Sequence, residues 1–89
     1  MKLVVTIVCK DRVGIIAMVS NILAENHVNI LNINQNIMDG FFNMVMIAEM
    51  GDSKIKFAEL QKLLHEKGEE INLDIKAQHQ EIFNVMHKI

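Results

Sequence analysis

Asp39-Gly40 sits between two runs of strand-forming residues and restricts the fold more tightly than any other dipeptide in the chain. Before it, Leu31, Ile33 and Ile37 alternate with Asn32, Asn34 and Asn36, the period-two pattern of a half-buried strand over residues 29–38. After it, residues 41–50 (FFNMVMIAEM) are apolar on both faces, as a central strand is. Aspartate followed by glycine tolerates the two positive φ angles that a two-residue hairpin loop requires. The middle of the chain is therefore predicted to be an antiparallel hairpin, and the flanking segments must fit around it.

Residues 2–9 (KLVVTIVC) are rich in Val, Ile and Thr and read as a second central strand. Cys9-Lys10-Asp11-Arg12-Val13-Gly14-Ile15 then hands the strand over to a helix, predicted over residues 13–26. There Ile15, Ile16, Val19, Ile22 and Leu23 follow the i, i+3, i+4, i+7 spacing of one helix face. Asp11 is read as its cap, and Gly14 as a point of close backbone approach. After the hairpin, Gly51-Asp52-Ser53 reads as a turn, with Asp52 or Ser53 capping a second helix. That helix is predicted from about Lys54 to Lys67, with Phe57, Leu60, Leu63 and Leu64 inward and Gly68 as its stop. Ile71, Leu73, Ile75 and Ala77 alternate with Asn72, Asp74 and Lys76 as a last strand over 71–77. A tail follows in which Ile82, Val85, Met86 and Ile89 are spaced as on a short terminal helix.

The predicted order is strand–helix–strand–strand–helix–strand, one domain over residues 1–89 of the α+β class. Two βαβ halves in this order build a ferredoxin-like sandwich. Right-handed crossovers place both helices on one face of an antiparallel sheet ordered 4-1-3-2. The chain is 51% hydrophobic, more than a domain of 89 residues can hide, so part of its apolar surface is expected to meet a second copy. A homodimer touching through residues 29–38 or 82–89 is the expected assembly.

Charge and composition argue against several functions. A net charge of −2 lacks the basic excess of a nucleic-acid surface, and aromatics are missing from the first strand. The apolar runs are short of the ~20 residues that span a membrane, and the N-terminus lacks a signal-peptide layout. A single cysteine fits a reducing cytosol, so the expected location is cytoplasmic. His27, His65, His79 and His87 lack ligand spacing, so no metal is expected, and no cofactor fingerprint is present. Cys9 reads as a half-buried thiol rather than a nucleophile, and no catalytic residue is assigned. Met38, Met44, Met46 and Met50 read as core or interface filler. An acylphosphatase-like enzyme shares the element order, but its loop needs a glycine-rich anion cradle that Lys10-Asp11-Arg12-Val13-Gly14 does not supply.

Asp11-Arg12-Val13-Gly14-Ile15-Ile16, followed by Leu23-Ala24-Glu25-Asn26-His27-Val28-Asn29-Ile30, resembles an ACT domain. The chain is most similar to small stand-alone ACT proteins, a group that Gly40-Phe41-Phe42-Asn43-Met44 also suggests. It also resembles the ACT modules of the glycine-cleavage-system regulator and of formyltetrahydrofolate deformylase. The resemblance implies a non-enzymatic regulatory module that pairs with a second copy and binds an amino acid or similar metabolite at the shared edge. It implies a downstream protein that reads the change in association, and it does not say which. Carried over by position, the ligand-binding residues are Cys9, Asp11, Gly14 with its neighbours Val13 and Ile15, and Asn29. Arg12 joins them because its fixed fork suits a carboxylate or phosphate. Cys9 and Asp11 stand where serine-sensing members carry a histidine and an asparagine. The alternative reading is a plain dimerisation module with no metabolite ligand.

Overall fold

The computed structural model describes residues 1–10, 13–51 and 55–81. Its elements are β1 (Lys2–Lys10), α1 (Ile15–Glu25), β2 (Asn29–Met38), β3 (Phe41–Glu49), α2 (Phe57–Glu70) and β4 (Asp74–His79). The four strands form one antiparallel sheet in the order β2-β3-β1-β4, the predicted 4-1-3-2. β1 lies inside it, paired with β3 on one side and β4 on the other. Asp39 and Gly40 have φ of 51° and 79°, the paired positive angles of a type I′ hairpin turn.

Register separates the two faces of the sheet. Leu3, Val5 and Ile7 stand opposite Ala48, Met46 and Met44 on β3 and, apart from Leu3, opposite Ala77 and Ile75 on β4. All of these are buried, and Ile15, Val19, Ile22 and Leu23 of α1 join Leu60 and Leu64 of α2 in the same cluster. Both helices therefore cover this face. The other face carries Thr6, Val8, Asn43, Val45 and the β2 asparagines, and among the described residues no helix lies over it.

Several expectations need correction. α1 begins at Ile15 with Gly14 as its N-cap, so the cap position is not that of Asp11. Gly14 has φ 92° and no side chain, and the cap makes no side-chain hydrogen bond. α2 begins only at Phe57, N-capped by Lys56, rather than at Lys54 after Asp52 or Ser53. Leu60 and Leu64 enter the core, Phe57 and Leu63 pack against it, and Glu59 supplies the first turn's favourable negative charge. Asp52 and Ser53 lie outside the described residues. Gly68 does not stop α2, which runs on to Glu70. The reversal follows instead at Asn72, with φ 60°, while Ile71 and Leu73 both donate their N–H groups to the Gly68 carbonyl. β4 accordingly starts at Asp74, three residues later than expected.

β2 also departs from simple alternation. A bulge separates Ile30, opposite Ala48, from Asn32, opposite Ile47, and Leu31 is the extra residue. Beyond it, Ile33, Gln35 and Ile37 share the helix side and Asn32, Asn34 and Asn36 the open side. Met44, Met46 and Met50 are buried, whereas Met38 is exposed. The expected terminal helix, 82–89, lies outside the described residues. No helix of the described residues is long and apolar enough to cross a membrane.

Candidate functional site

The site is a cleft between the start of α1 and the far end of β2. Gly14 turns the chain from β1 into α1, and the first intrahelical bond runs from the Met18 N–H to the Gly14 carbonyl at 3.0 Å. The N–H groups of Ile15, Ile16 and Ala17 precede that bond, so the helix itself gives them no acceptor. The hairpin carries the end of β2 to the same level, because Ile37 pairs with Phe42 and Phe42 with Cys9. Residues 13–17 form one wall of a cleft of about 620 Å³, and Gln35, Asn36, Ile37 and Phe42 form the other. None of these side chains is charged. The walls are mostly apolar, and of the two amide residues Gln35 lies on the helix side of β2 while Asn36 turns its side chain to the open side, an arrangement suited to a small ligand with an acceptor group and an apolar body.

Of the residues read from the sequence, Val13, Gly14 and Ile15 line this cleft. Cys9 is half-buried on the adjoining strand, beside Phe42. Asp11 and Arg12 lie outside the described residues. Asn29 is at the other end of the sheet: it pairs with Glu49, and Glu49 with Lys2. Seven residue steps along the strand lead from Lys2 to Cys9, which at a rise of ~3.3 Å is roughly 23 Å. A single chain therefore does not bring Asn29 to the loop. Asn29 belongs to a separate cleft of about 490 Å³ with His27, Val28, Glu49 and Gly51. There the Met1 amine donates to Glu49 at 2.6 Å, and that hydrogen bond holds the Glu49 carboxyl below its ordinary range.

Gln35, Asn36, Ile37 and Phe42 were not among the residues singled out from the sequence. Gln35 did carry a signal, since it interrupts the series Ile33, Ile37 on the helix side of β2 where an apolar residue would continue it. Gly14 permits a direct test of the turn. A Cβ added there meets nothing within 4 Å, so Gly14→Ala costs only the strain of a left-handed alanine, about 1 kcal/mol. Thermal melting should show a fall of about 5 °C.

Residues 1–78 match the model of a family described as ACT domain. A UPF0237 protein of Clostridium perfringens is 49% identical over 89 residues, covering all of both chains. An ACT domain protein from Streptococcus pneumoniae superimposes with a TM-score of 0.81 at 36% identity, covering 93% of each chain. A formyltetrahydrofolate deformylase from Pseudomonas syringae pv. tomato does so with a TM-score of 0.78 at 26% identity, over 88% of this chain and 27% of that one. A putative glycine cleavage system transcriptional repressor shares the fold, with a TM-score of 0.73 at 22% identity over 86% of this chain and 44% of that one.

Proposed function

Because the chain belongs to the ACT-domain family, we propose that it is a small non-enzymatic regulatory module that binds an amino acid or similar metabolite at a homodimer interface. Ligand binding tightens the pairing, and another protein in the cytoplasm reads the change. The observation that carries this reading is the uncharged cleft that the start of α1, with the N–H groups of Ile15, Ile16 and Ala17, shares with Gln35 on the helix side of β2. A carboxylate is a suitable acceptor for those donors.

The edge of the sheet supplies the pairing. β2 is an outer strand of ten residues with no proline and no charged residue, so it lacks the usual protection of an exposed edge. A second copy of β2 running antiparallel would set the partner's Asn29 beside the Gln35–Met38 end of the first. The cleft and Asn29, far apart in one chain, would then meet across the twofold axis.

A thermal-shift screen against amino acids tests the reading. Ligand at 100 times its dissociation constant adds ~2.7 kcal/mol of apparent stability, which raises the melting temperature by on the order of 10 °C. Gln35 is exposed, so Gln35→Ala should change the unliganded protein by no more than about 0.5 kcal/mol. Losing its hydrogen bond should weaken ligand binding by about 1 kcal/mol, roughly fivefold, and Asn29→Ala should act in the same direction. If no amino acid stabilises the protein at millimolar concentration, the plain dimerisation module is the correct reading.

A further inference from the structure

The cleft between α1 and the end of β2 has an apolar floor and two apolar rims. Phe42 and Ile15 line it and are buried, so they make the floor. Val13 stands on one rim, fully exposed beside the turn into α1. Ile37 stands on the other, 62% exposed on the helix side of β2 and paired in register with Phe42. Half-buried Ile16 and exposed Ala17 complete the wall on the helix. This character is local. The cleft beside Asn29 carries Glu49, the one beside His79 carries Lys2 and Glu81, and the one over β2 and β3 carries a row of asparagines. A single exposed aliphatic side chain is ordinary on a protein surface. Val13 and Ile37 differ because they border one cleft, where one small ligand can remove both from water together.

We propose that Val13 and Ile37 select the side chain of the ligand, and that the ligand class is the amino acids with branched aliphatic side chains: leucine, isoleucine and valine. The proposal rests on the amino-acid reading under Proposed function and narrows it. A charged side chain placed here would lose water and meet no opposite charge among the described residues that line the cleft. A polar one would find the Gln35 amide on the helix side of β2, and otherwise apolar walls. An aromatic ring gains from packing on another, but Phe42 is buried in the core rather than displayed. Glycine and alanine are too small to fill a cleft of about 620 Å³ and would leave both rims wet. A branched aliphatic chain covers both rims, and it loses less rotamer freedom on binding than the unbranched chain of methionine.

Isothermal titration of the full chain tests this by comparing leucine, isoleucine and valine with alanine, serine, aspartate, lysine and phenylalanine. Each buried CH₂ group adds about fourfold to affinity, so leucine should bind at least about tenfold tighter than alanine. Val13→Thr exchanges a methyl for a hydroxyl at nearly the same shape, and Ile37→Thr keeps a β-branched side chain on the strand. Each should weaken leucine binding about fivefold. Both positions are exposed, so the circular dichroism spectrum should be retained. Alanine, too short to reach either rim, should bind the variants as it binds the wild type. Alanine, serine, aspartate, lysine or phenylalanine binding as tightly as leucine overturns this inference and leaves the amino-acid reading standing. Leucine binding that either folded variant fails to weaken does the same. If no amino acid of the set binds at millimolar concentration, both readings fall.

Discussion

Gly68→Ala is expected to destabilise the domain, although alanine is ordinarily worth up to ~1 kcal/mol over glycine inside a helix. A Cβ on Gly68 would lie 2.7 Å from the Leu73 carbonyl oxygen and 3.1 Å from Cγ1 of Ile75. Neither neighbour can yield cheaply. Leu73 is tied back by its own N–H, which donates to the Gly68 carbonyl at 2.8 Å, and Ile75 is buried in the core. Relief requires α2 and β4 to separate, and overpacking of this kind costs about 1–3 kcal/mol. With the backbone carbonyl as the obstacle the upper end applies, so the net loss is about 2 kcal/mol after the propensity gain. In a domain of this size that lowers the melting temperature by on the order of 10 °C. Scanning calorimetry provides the measurement. An unchanged or raised melting temperature would mean that α2 and β4 do not approach each other as described.

Leu64→Ala should be among the most destabilising truncations on α2. Leu64 is fully buried where α2 packs on the sheet, in one cluster with Leu60, Met46 and Ile75. Truncating a buried leucine costs about 2–5 kcal/mol, the removed apolar surface plus the cavity left behind. An 89-residue domain has roughly 5–10 kcal/mol in total, so half of its stability is at stake. The midpoint of urea unfolding should fall with little change in slope. Leu64→Met, which nearly conserves volume, should cost less than about 1.5 kcal/mol. Equal losses for the two variants would show that the site is not a tightly packed core position.

The elements that a short window of sequence specifies were legible in it. The hairpin followed from Asp39-Gly40, because two adjacent positive φ angles are a local demand that only a few residue pairs meet. α1 followed from the spacing of Ile15, Val19, Ile22 and Leu23, all of which are buried. The central place of β1 followed from its having apolar residues on both faces, and the strand order from the handedness of the crossovers. The ACT-domain resemblance was carried by the Gly14 turn and the entry to β2.

What two distant segments decide together was not legible. Gly68 looks like a helix stop, and only the approach of Leu73 and Ile75 shows it to be a packing position within α2. The bulge at Leu31 arises in the pairing of β2 with β3, and no residue of β2 announces it. The candidate site divides in the same way. Gly14, Val13 and Ile15 were readable because a strand-to-helix turn is local. Gln35 and Phe42 join them only because the β2–β3 hairpin returns alongside the start of α1. Asn29, close to α1 in sequence, lies at the opposite end of the sheet because an extended strand carries the chain ~3.3 Å further with every residue. Periodicity and turn chemistry act over a few residues and so are written in the sequence. Which side chains face one another across a cleft depends on strand register and helix packing, which the tertiary structure alone decides.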